Sequence, residues 1–373
     1  MKKLKVMTIL GTRPEIIRLA RVIAKLEKFT NHILVHTGQN YDYELNQIFF
    51  KDLEIKVPNY FLKSSEGSVA NRISNIIKKT DEILEKESPD ALLILGDTNS
   101  CLSIIPAKRR KIPTFHMEAG NRCFDMRVPE EINRKIVDHI ADVNITYSSI
   151  AREYLIKEGL KPELIIKSGS PMKEVLDYYF KKISKSDILN RLQLESYKYF
   201  LISFHREENI DNNENLEKIE KILHTLSEKF EMPIIFSTHP RTRKRLNTNE
   251  FSNLVKFINP VSFSDYIKLQ INSNIVLSDS GTINEESSIL NFPAINVRET
   301  YERPEAMEEG SVVLSGLSCE RILQTIELIK FQERGEKRDL KIVKDYDLDN
   351  VSEKIIRIIL SYTDYVNNFI WKK

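Results

Sequence analysis

The sequence predicts an α/β protein of two parallel-sheet domains facing a cleft, and three observations carry that expectation. Short aliphatic and β-branched runs alternate with amphipathic helical runs along almost the whole chain, which implies parallel sheets covered by helices on both faces. At 373 residues the chain exceeds the length at which a single core usually stops growing. Charged, turn-forming clusters stand where successive apolar runs end, and open parallel sheets bind ligands beyond the carboxyl ends of their strands.

Residues 4–10 (LKVMTIL), 32–37, 91–95 (ALLIL), 114–117 and 143–147 read as buried strands of a first sheet. Between them, 15–26 and 69–84 carry apolar residues at three- and four-residue spacing, the mark of a helix packed on one face. A second series of strands follows at 199–204, 233–237, 255–258, 275–277, 294–297 and 312–314, again with helices between. The stretch 165–185 reads as the bridge, with Gly169-Ser170-Pro171 as a turn. The expected division is therefore a Rossmann-like domain over 1–168 and a second over 169–354, with a C-terminal helix of 355–373 packing back on the first.

Bulk composition removes several classes of function. Charged residues make up 29% of the chain, mixed in sign, and the formal net charge of +2 gives no reason to expect nucleic acid or a membrane surface as partner. The three cysteines (Cys101, Cys123, Cys319) lie far apart, so neither a disulfide framework nor a zinc site is expected. No run approaches transmembrane length, and Met1-Lys2-Lys3 leads straight into the first strand pattern. A cytoplasmic protein is expected. The first strand is not followed by G-x-G-x-x-G, and the sequence has no P-loop, so a nicotinamide, flavin or P-loop nucleotide site is not indicated.

The strand-end clusters carry the candidate chemistry. Asp279-Ser280-Gly281-Thr282 follows one strand pattern and opens the helical run 283–290. Small residues at that junction gather bare N–H groups at the positive end of a helix, which suits a phosphate or diphosphate, and Glu286 one turn on could accept from a ribose diol. An ordinary capped helix start is the competing reading. Asp97 follows another strand and also suits a cap, whereas Glu118, beside Gly120, has less structural reason to be acidic. Glu130 and Glu131 follow Pro129 at a helix start, where the dipole favours anions. Carboxylates converging from neighbouring elements would repel one another unless a cation or a reaction needs them. No histidine is spaced as a helical metal partner, so acid–base work on a neutral substrate is the simpler reading, and no metal is assigned. His205, in His205-Arg206-Glu207, suits a phosphate or a proton transfer; His139 and His224 sit inside helical patterns and read as structural. Arg13, Arg18 and Arg303 offer guanidinium forks that match phosphate oxygens.

Taken together, the motifs resemble a known family, the non-hydrolysing UDP-N-acetylglucosamine 2-epimerases. The matches run in order through Gly11-Thr12-Arg13-Pro14-Glu15, Gly96-Asp97-Thr98, Glu118-Ala119-Gly120, Pro129-Glu130-Glu131-Ile132-Asn133-Arg134-Lys135, His205-Arg206-Glu207, Asp279-Ser280-Gly281 and Glu302-Arg303-Pro304-Glu305-Ala306. Each motif alone is weak; the ordered set covers most of the chain and is specific. The resemblance implies a glycosyltransferase-B type architecture and no organic cofactor. It also implies a UDP-sugar as the partner, and a homodimer is expected. By resemblance, Asp97, Glu118 and Glu130 are the acid–base carboxylates, with His205 beside the diphosphate, and Arg134 orients or charge-pairs with the carboxylates. Arg13 and Arg18 are implied on the phosphate side of the first domain. Ser280 and Gly281 would hold the diphosphate, Glu286 the ribose and Arg303 the remaining charge, with His239 and Tyr266 completing the UDP contacts.

Two departures bear on the sugar. The loop 121–128 (NRCFDMRV) is about two residues shorter than is usual in the family, and Gly38-Gln39-Asn40-Tyr41-Asp42-Tyr43 replaces a glutamine-histidine-arginine run. Both features are similar to the branch that converts UDP-2-acetamido-2,6-dideoxy-L-talose to UDP-N-acetyl-L-fucosamine for capsule or O-antigen. The alternative is the UDP-N-acetylglucosamine/UDP-N-acetylmannosamine epimerase. A sugar-nucleotide glycosyltransferase would share the fold and the Ser280 loop without needing three carboxylates together, and an idle nucleotide-sugar sensor would have lost them.

Overall fold

The structure is a computed structural model that describes residues 3–38, 43–204, 212–238, 245–246 and 251–373. The chain divides into two compact units, 1–178 together with 344–373, and 179–343. The α/β architecture of two parallel sheets expected from the alternating runs is present, one sheet in each unit.

In the first unit seven strands, β1 Lys5–Leu10, β2 Asn31–His36, β3 Tyr60–Phe61, β4 Ala91–Leu95, β5 Thr114–Met117, β6 Val143–Thr146 and β7 Ile165–Lys167, pair in the order β3-β2-β1-β4-β5-β6-β7. All the pairs are parallel, with β1 meeting β2 from Lys5↔Asn31 to Leu10↔His36 and β4 meeting β5 from Leu92↔Thr114 to Leu95↔Met117. Every residue of β4 is buried, as a strand covered on both faces must be. Met7, Ile9, Val35, Leu92 and Ile94 form the centre of this core. The chain runs outward from β1 to β2 and β3, then returns to β4 on the other side of β1. That reversal opens a crevice beyond the carboxyl ends of β1 and β4, where open α/β sheets bind ligands. Helix Arg13–Phe29 buries Ile16, Leu19, Val22, Ile23 and Leu26. Helix Val351–Tyr365 packs against it, with Lys25 Nζ 3.0 Å from Glu353 Oε2.

Strands β3 and β7 have no counterpart in the sequence reading, and β7 falls inside the stretch read as a bridge. Edge strands of two and three residues are too short to show a period, and only their pairing with β2 and β6 defines them.

The second unit holds β8 Phe200–Ser203, β9 Ile234–Ser237, β10 Val255–Ile258, β11 Ile275–Ser278, β12 Ala294–Asn296 and β13 Val313–Leu314, in the order β10-β9-β8-β11-β12-β13. Phe200, Ile202, Phe236, Leu277 and Ile295 pack against Ile219, Leu223 and Leu226 of helix Asn213–Phe230. Its order reverses between β8 and β11, so the residues after β11 stand at the switch point of this sheet. Among the described residues, no helix is long and apolar enough to cross a membrane.

Candidate functional site

In the first unit the site begins at the turn after β1. Gly11 stands where a side chain would run into the hydroxyls of Thr37 and Ser100. Glu15, one turn into the following helix, folds back and accepts the N–H groups of Gly11 (2.5 Å) and Thr12 (3.2 Å). Its other oxygen accepts the Thr98 hydroxyl at 2.6 Å. Glu15 therefore ties the β1 turn to the β4 turn that carries Asp97. Burial pushes its pKa up to about 7, against the opposing pull of these hydrogen bonds.

Two carboxylates follow neighbouring strands, each held by an arginine. After β4, Asp97 Oδ2 accepts from Arg134 through Nε at 3.1 Å and through Nη2. After β5, Glu118 Oε2 accepts from Arg18 Nη1 at 2.8 Å, and both side chains are buried. Glu118 has φ +64, a left-handed conformation that costs a non-glycine residue about 1–3 kcal/mol and persists only where its surroundings impose it. Such outliers cluster at functional sites. Burial, together with the charges of Glu15, Asp97 and Glu118, raises the Cys101 thiol well above its ordinary value, so the three carboxylates act on one locus.

Helix Pro129–Ile140 supplies the other side. Arg134 also donates from Nη1 to Glu131 Oε2 at 2.8 Å, and Glu131 accepts the backbone N–H of Cys123 at 3.1 Å. Glu131 is fully buried, whereas Glu130 lies half-buried in the first helical turn. The 121–128 loop is thus anchored through Cys123, while the Phe124 ring lies edge-on to Tyr154 at 5.3 Å. Arg13 places its guanidinium 5.9 Å from the Phe49 ring.

In the second unit the turn after β11 forms a compact polar loop. Asp279 is buried, the Ser280 and Thr282 hydroxyls lie 2.9 Å apart, and helix Ile283–Leu290 follows. Arg303 lies beside Gly281, where a Cβ would stand 3.6 Å from Nε, and its Nη1 is 3.5 Å from Glu285 Oε2. Glu286 is 5% exposed and accepts from Gln270 Nε2 at 2.6 Å. Tyr266 sits one turn before Gln270 on helix Phe263–Asn272, hence on the same face. Ser280, Gly281, Glu286, Arg303 and Tyr266 thus belong to one neighbourhood at the switch point of the second sheet. His205 and His239 lie outside the described residues.

The first unit likewise brings Asp97, Glu118, Arg18 and Arg134 to the ends of β4 and β5. Arg18, expected on the phosphate side, holds Glu118 at 2.8 Å. Sequence reasoning gives no site role to Glu15, Glu131 or Gln270. The signal for Glu131 was present, since Glu131, Arg134 and Asp138 recur at helical spacing with apolar Val137 on the face that buries.

Comparison with known proteins agrees with this geometry. The profile of a family described as UDP-N-acetylglucosamine 2-epimerase matches residues 24–360. A Rickettsia bellii structure described as UDP-N-acetylglucosamine 2-epimerase superposes with a TM-score of 0.92 at 54% identity, covering 100% of both chains. The curated Methanocaldococcus jannaschii UDP-N-acetylglucosamine 2-epimerase is 36% identical over 97% of this chain and 100% of its own. Its structure in complex with UDP-GlcNAc and UDP gives a TM-score of 0.88 at 33% identity, covering 96% of this chain and 100% of that one. A Pseudomonas aeruginosa UDP-2,3-diacetamido-2,3-dideoxy-D-glucuronate 2-epimerase is 31% identical over 86% of this chain and 91% of its own. The chain belongs to the UDP-N-acetylglucosamine 2-epimerase family, whose members are isomerases.

Proposed function

We propose that the protein inverts C2 of a UDP-N-acetylhexosamine by eliminating UDP and adding it back. The observation that carries this reading is the pair of arginine-held carboxylates, Asp97 and Glu118, at the ends of adjacent strands, one on a strained backbone. The C2 proton of such a sugar is not appreciably acidic, so direct abstraction would demand very large stabilisation. Elimination avoids the problem. A carboxylate among Asp97, Glu118 and Glu130 takes the C2 proton, the C–H electrons form the C1–C2 double bond, and the C1–O pair leaves with UDP. Re-addition reverses each step after the proton is delivered to the other face of C2. Oriented by Arg18 and Arg134, Glu118 and Asp97 suit proton transfer at the sugar. Ser280, Gly281, Arg303, Arg13 and His205 stabilise the leaving diphosphate, with Glu286 and Tyr266 on the nucleoside and His239 completing the UDP contacts.

For the sugar itself, we favour the 6-deoxy-L-talo/L-fuco pair over the D-gluco/D-manno pair. The shortened 121–128 loop supports it, since its anchor at Glu131 draws it against the helix that bears Arg134. The names of the Rickettsia and Methanocaldococcus relatives favour the D-gluco/D-manno reading. A site for a second, activating UDP-sugar would be weakened by Tyr41 and Asp42, which lie outside the described residues.

The test is turnover in deuterated water with both pairs, each with and without added UDP-N-acetylglucosamine. Deuterium at C2 of the product is expected. Product without it would overturn the elimination route. A higher kcat/KM for the 6-deoxy pair without activator is expected, and efficient, activator-dependent turnover of UDP-N-acetylglucosamine would establish the other sugar.

A further inference from the structure

We infer that His116, Asp138 and Arg122 form a buried positioning unit that locks the turn carrying Asp97 to the turn carrying Glu118; the inference rests on the functional reading above. All three side chains are fully buried. His116, on β5, sets Nε2 2.7 Å from the carbonyl of Gly96, the residue before Asp97, and Nδ1 2.9 Å from Asp138 Oδ1. Asp138, on helix Pro129–Ile140, accepts the N–H of Gly120, two residues beyond Glu118, at 3.3 and 3.2 Å. It also accepts from Arg122 Nη1 at 2.7 Å, and that same nitrogen donates to the Asn121 carbonyl at 2.7 Å. Two side chains, His116 and Asp138, therefore span from the backbone just before one proposed catalytic carboxylate to the backbone just after the other.

The backbone at these anchor points explains the need for such a unit. Gly96 (φ +77), Glu118 (φ +64) and Gly120 (φ +82) are all left-handed, outside the dihedrals that sheet or helix would hold in place. A side chain at Gly120 would also strike the carbonyl of Ala151. Both His116 ring nitrogens face acceptors, which is satisfied by a ring carrying both protons. Burial alone would lower its pKa. Asp138, the Gly96 carbonyl and the charge of Asp97 outweigh that and hold it above the ordinary value. Helix Pro129–Ile140 thereby serves both carboxylates from one face, clamping Asp97 through Arg134 and the Glu118 turn through Asp138.

Asp138→Asn, His116→Gln and Glu158→Gln separate positioning from mere core filling. Glu158 grips Arg122 from the outer side at 2.8 and 2.6 Å and touches neither turn. On the preferred UDP-N-acetylhexosamine, Asp138→Asn and His116→Gln are expected to lower kcat about 10²-fold, the effect of a slight misplacement of reacting groups. KM and the affinity for UDP should stay unchanged, and Glu158→Gln should keep wild-type kcat. Nitrogen-15 spectra of the wild-type protein at neutral pH should show His116 as an imidazolium. If Asp138→Asn does not fold, His116→Gln and the spectrum still decide. A neutral ring, equal losses of kcat in Asp138→Asn and Glu158→Gln, or full kcat in His116→Gln would each overturn the inference while the wild-type enzyme turns over. A wild-type protein that binds UDP but epimerises no UDP-N-acetylhexosamine would overturn the functional reading, and this inference with it.

Discussion

The switch points of the two sheets are built in opposite ways. Beyond β4 and β5, charge is matched to charge in close ion pairs, Arg134 with Asp97 and Glu131, and Arg18 with Glu118, on a backbone that includes a left-handed glutamate. Beyond β11 the turn itself is held by serine and threonine hydroxyls on each other and by Gln270 on Glu286, with the pairs Arg303–Glu285 at 3.5 Å and Arg298–Glu302 at 2.9 Å beside it. The difference suits two tasks. Groups that move a proton must be held in place before the substrate arrives, because reorganising them during the reaction would raise the barrier. A diphosphate brings its own charge, and hydroxyls and helix N–H groups beside a guanidinium are the kind of surroundings that suit it.

The largest expected effect tests the first half of that contrast. Asp97→Asn and Glu118→Gln should each lower kcat about 10²–10⁴-fold while UDP affinity, measured by calorimetry, stays at the wild-type level. Loss of UDP binding in either variant would erase the division of labour.

Next comes a pH effect confined to the first unit. Glu15 holds its proton more tightly in the fold than its ordinary value of 4.5, up to about 7. The stability it contributes is therefore complete below pH about 4.5 and is lost as pH rises through about 7, a change of about 3 kcal/mol. Glu15→Gln should flatten urea-unfolding stability across that window relative to wild type. Parallel curves for the two proteins would show that Glu15 titrates normally.

A smaller change is expected in the second unit. Glu286→Gln removes the charge that Gln270 orients, and a hydrogen bond to a charged group is worth about 1.5–3 kcal/mol. KM and UDP affinity should weaken by about tenfold or more with kcat nearly unchanged. A loss confined to kcat would move Glu286 into the chemistry and break the comparison. Smallest of all should be Lys25→Ala, which opens a half-exposed pair with Glu353. Its denaturation midpoint should match wild type, because exposed pairs contribute little; a clear drop would show that pairing throughout the first unit, beyond the strand ends, matters.

The parallel sheets and the strand-end chemistry were legible in the sequence because both leave local marks. A run such as ALLIL is a buried strand whatever surrounds it, and a Gly-Asp-Thr after it is a turn. Asp97, Glu118, Ser280 and Glu286 could be picked out for that reason. Of the residues that hold them, Arg134 is legible as a charge partner, and it pairs with Asp97; the others are not legible. His116 lies in a strand of buried residues, and nothing in Thr-Phe-His-Met says that its ring meets the Gly96 carbonyl and Asp138. Gln270 looks like any polar residue on a helix until Glu286 is placed beside it. Arg18 suggests a phosphate partner by its type, and nothing in its spacing shows the pair it makes with Glu118. Supporting contacts join residues far apart in the chain, so spacing carries no trace of them. The exception is the run Glu131, Arg134, Asp138, whose helical period puts charge on a face that also carries buried Val137.

The return of helix Val351–Tyr365 to helix Arg13–Phe29 has a consequence for biosynthesis. Lys25 and Glu353 are 328 residues apart, and at about 5–20 residues per second the ribosome needs roughly 16–66 s to travel between them. Residues 179–343 are synthesised within that interval, whereas the first unit lacks its closing helix until 351–365 have been made. The first unit therefore cannot complete its core until the second has been synthesised, against the usual N-to-C order. The apolar flank of helix Arg13–Phe29 is meanwhile left for a chaperone to shield.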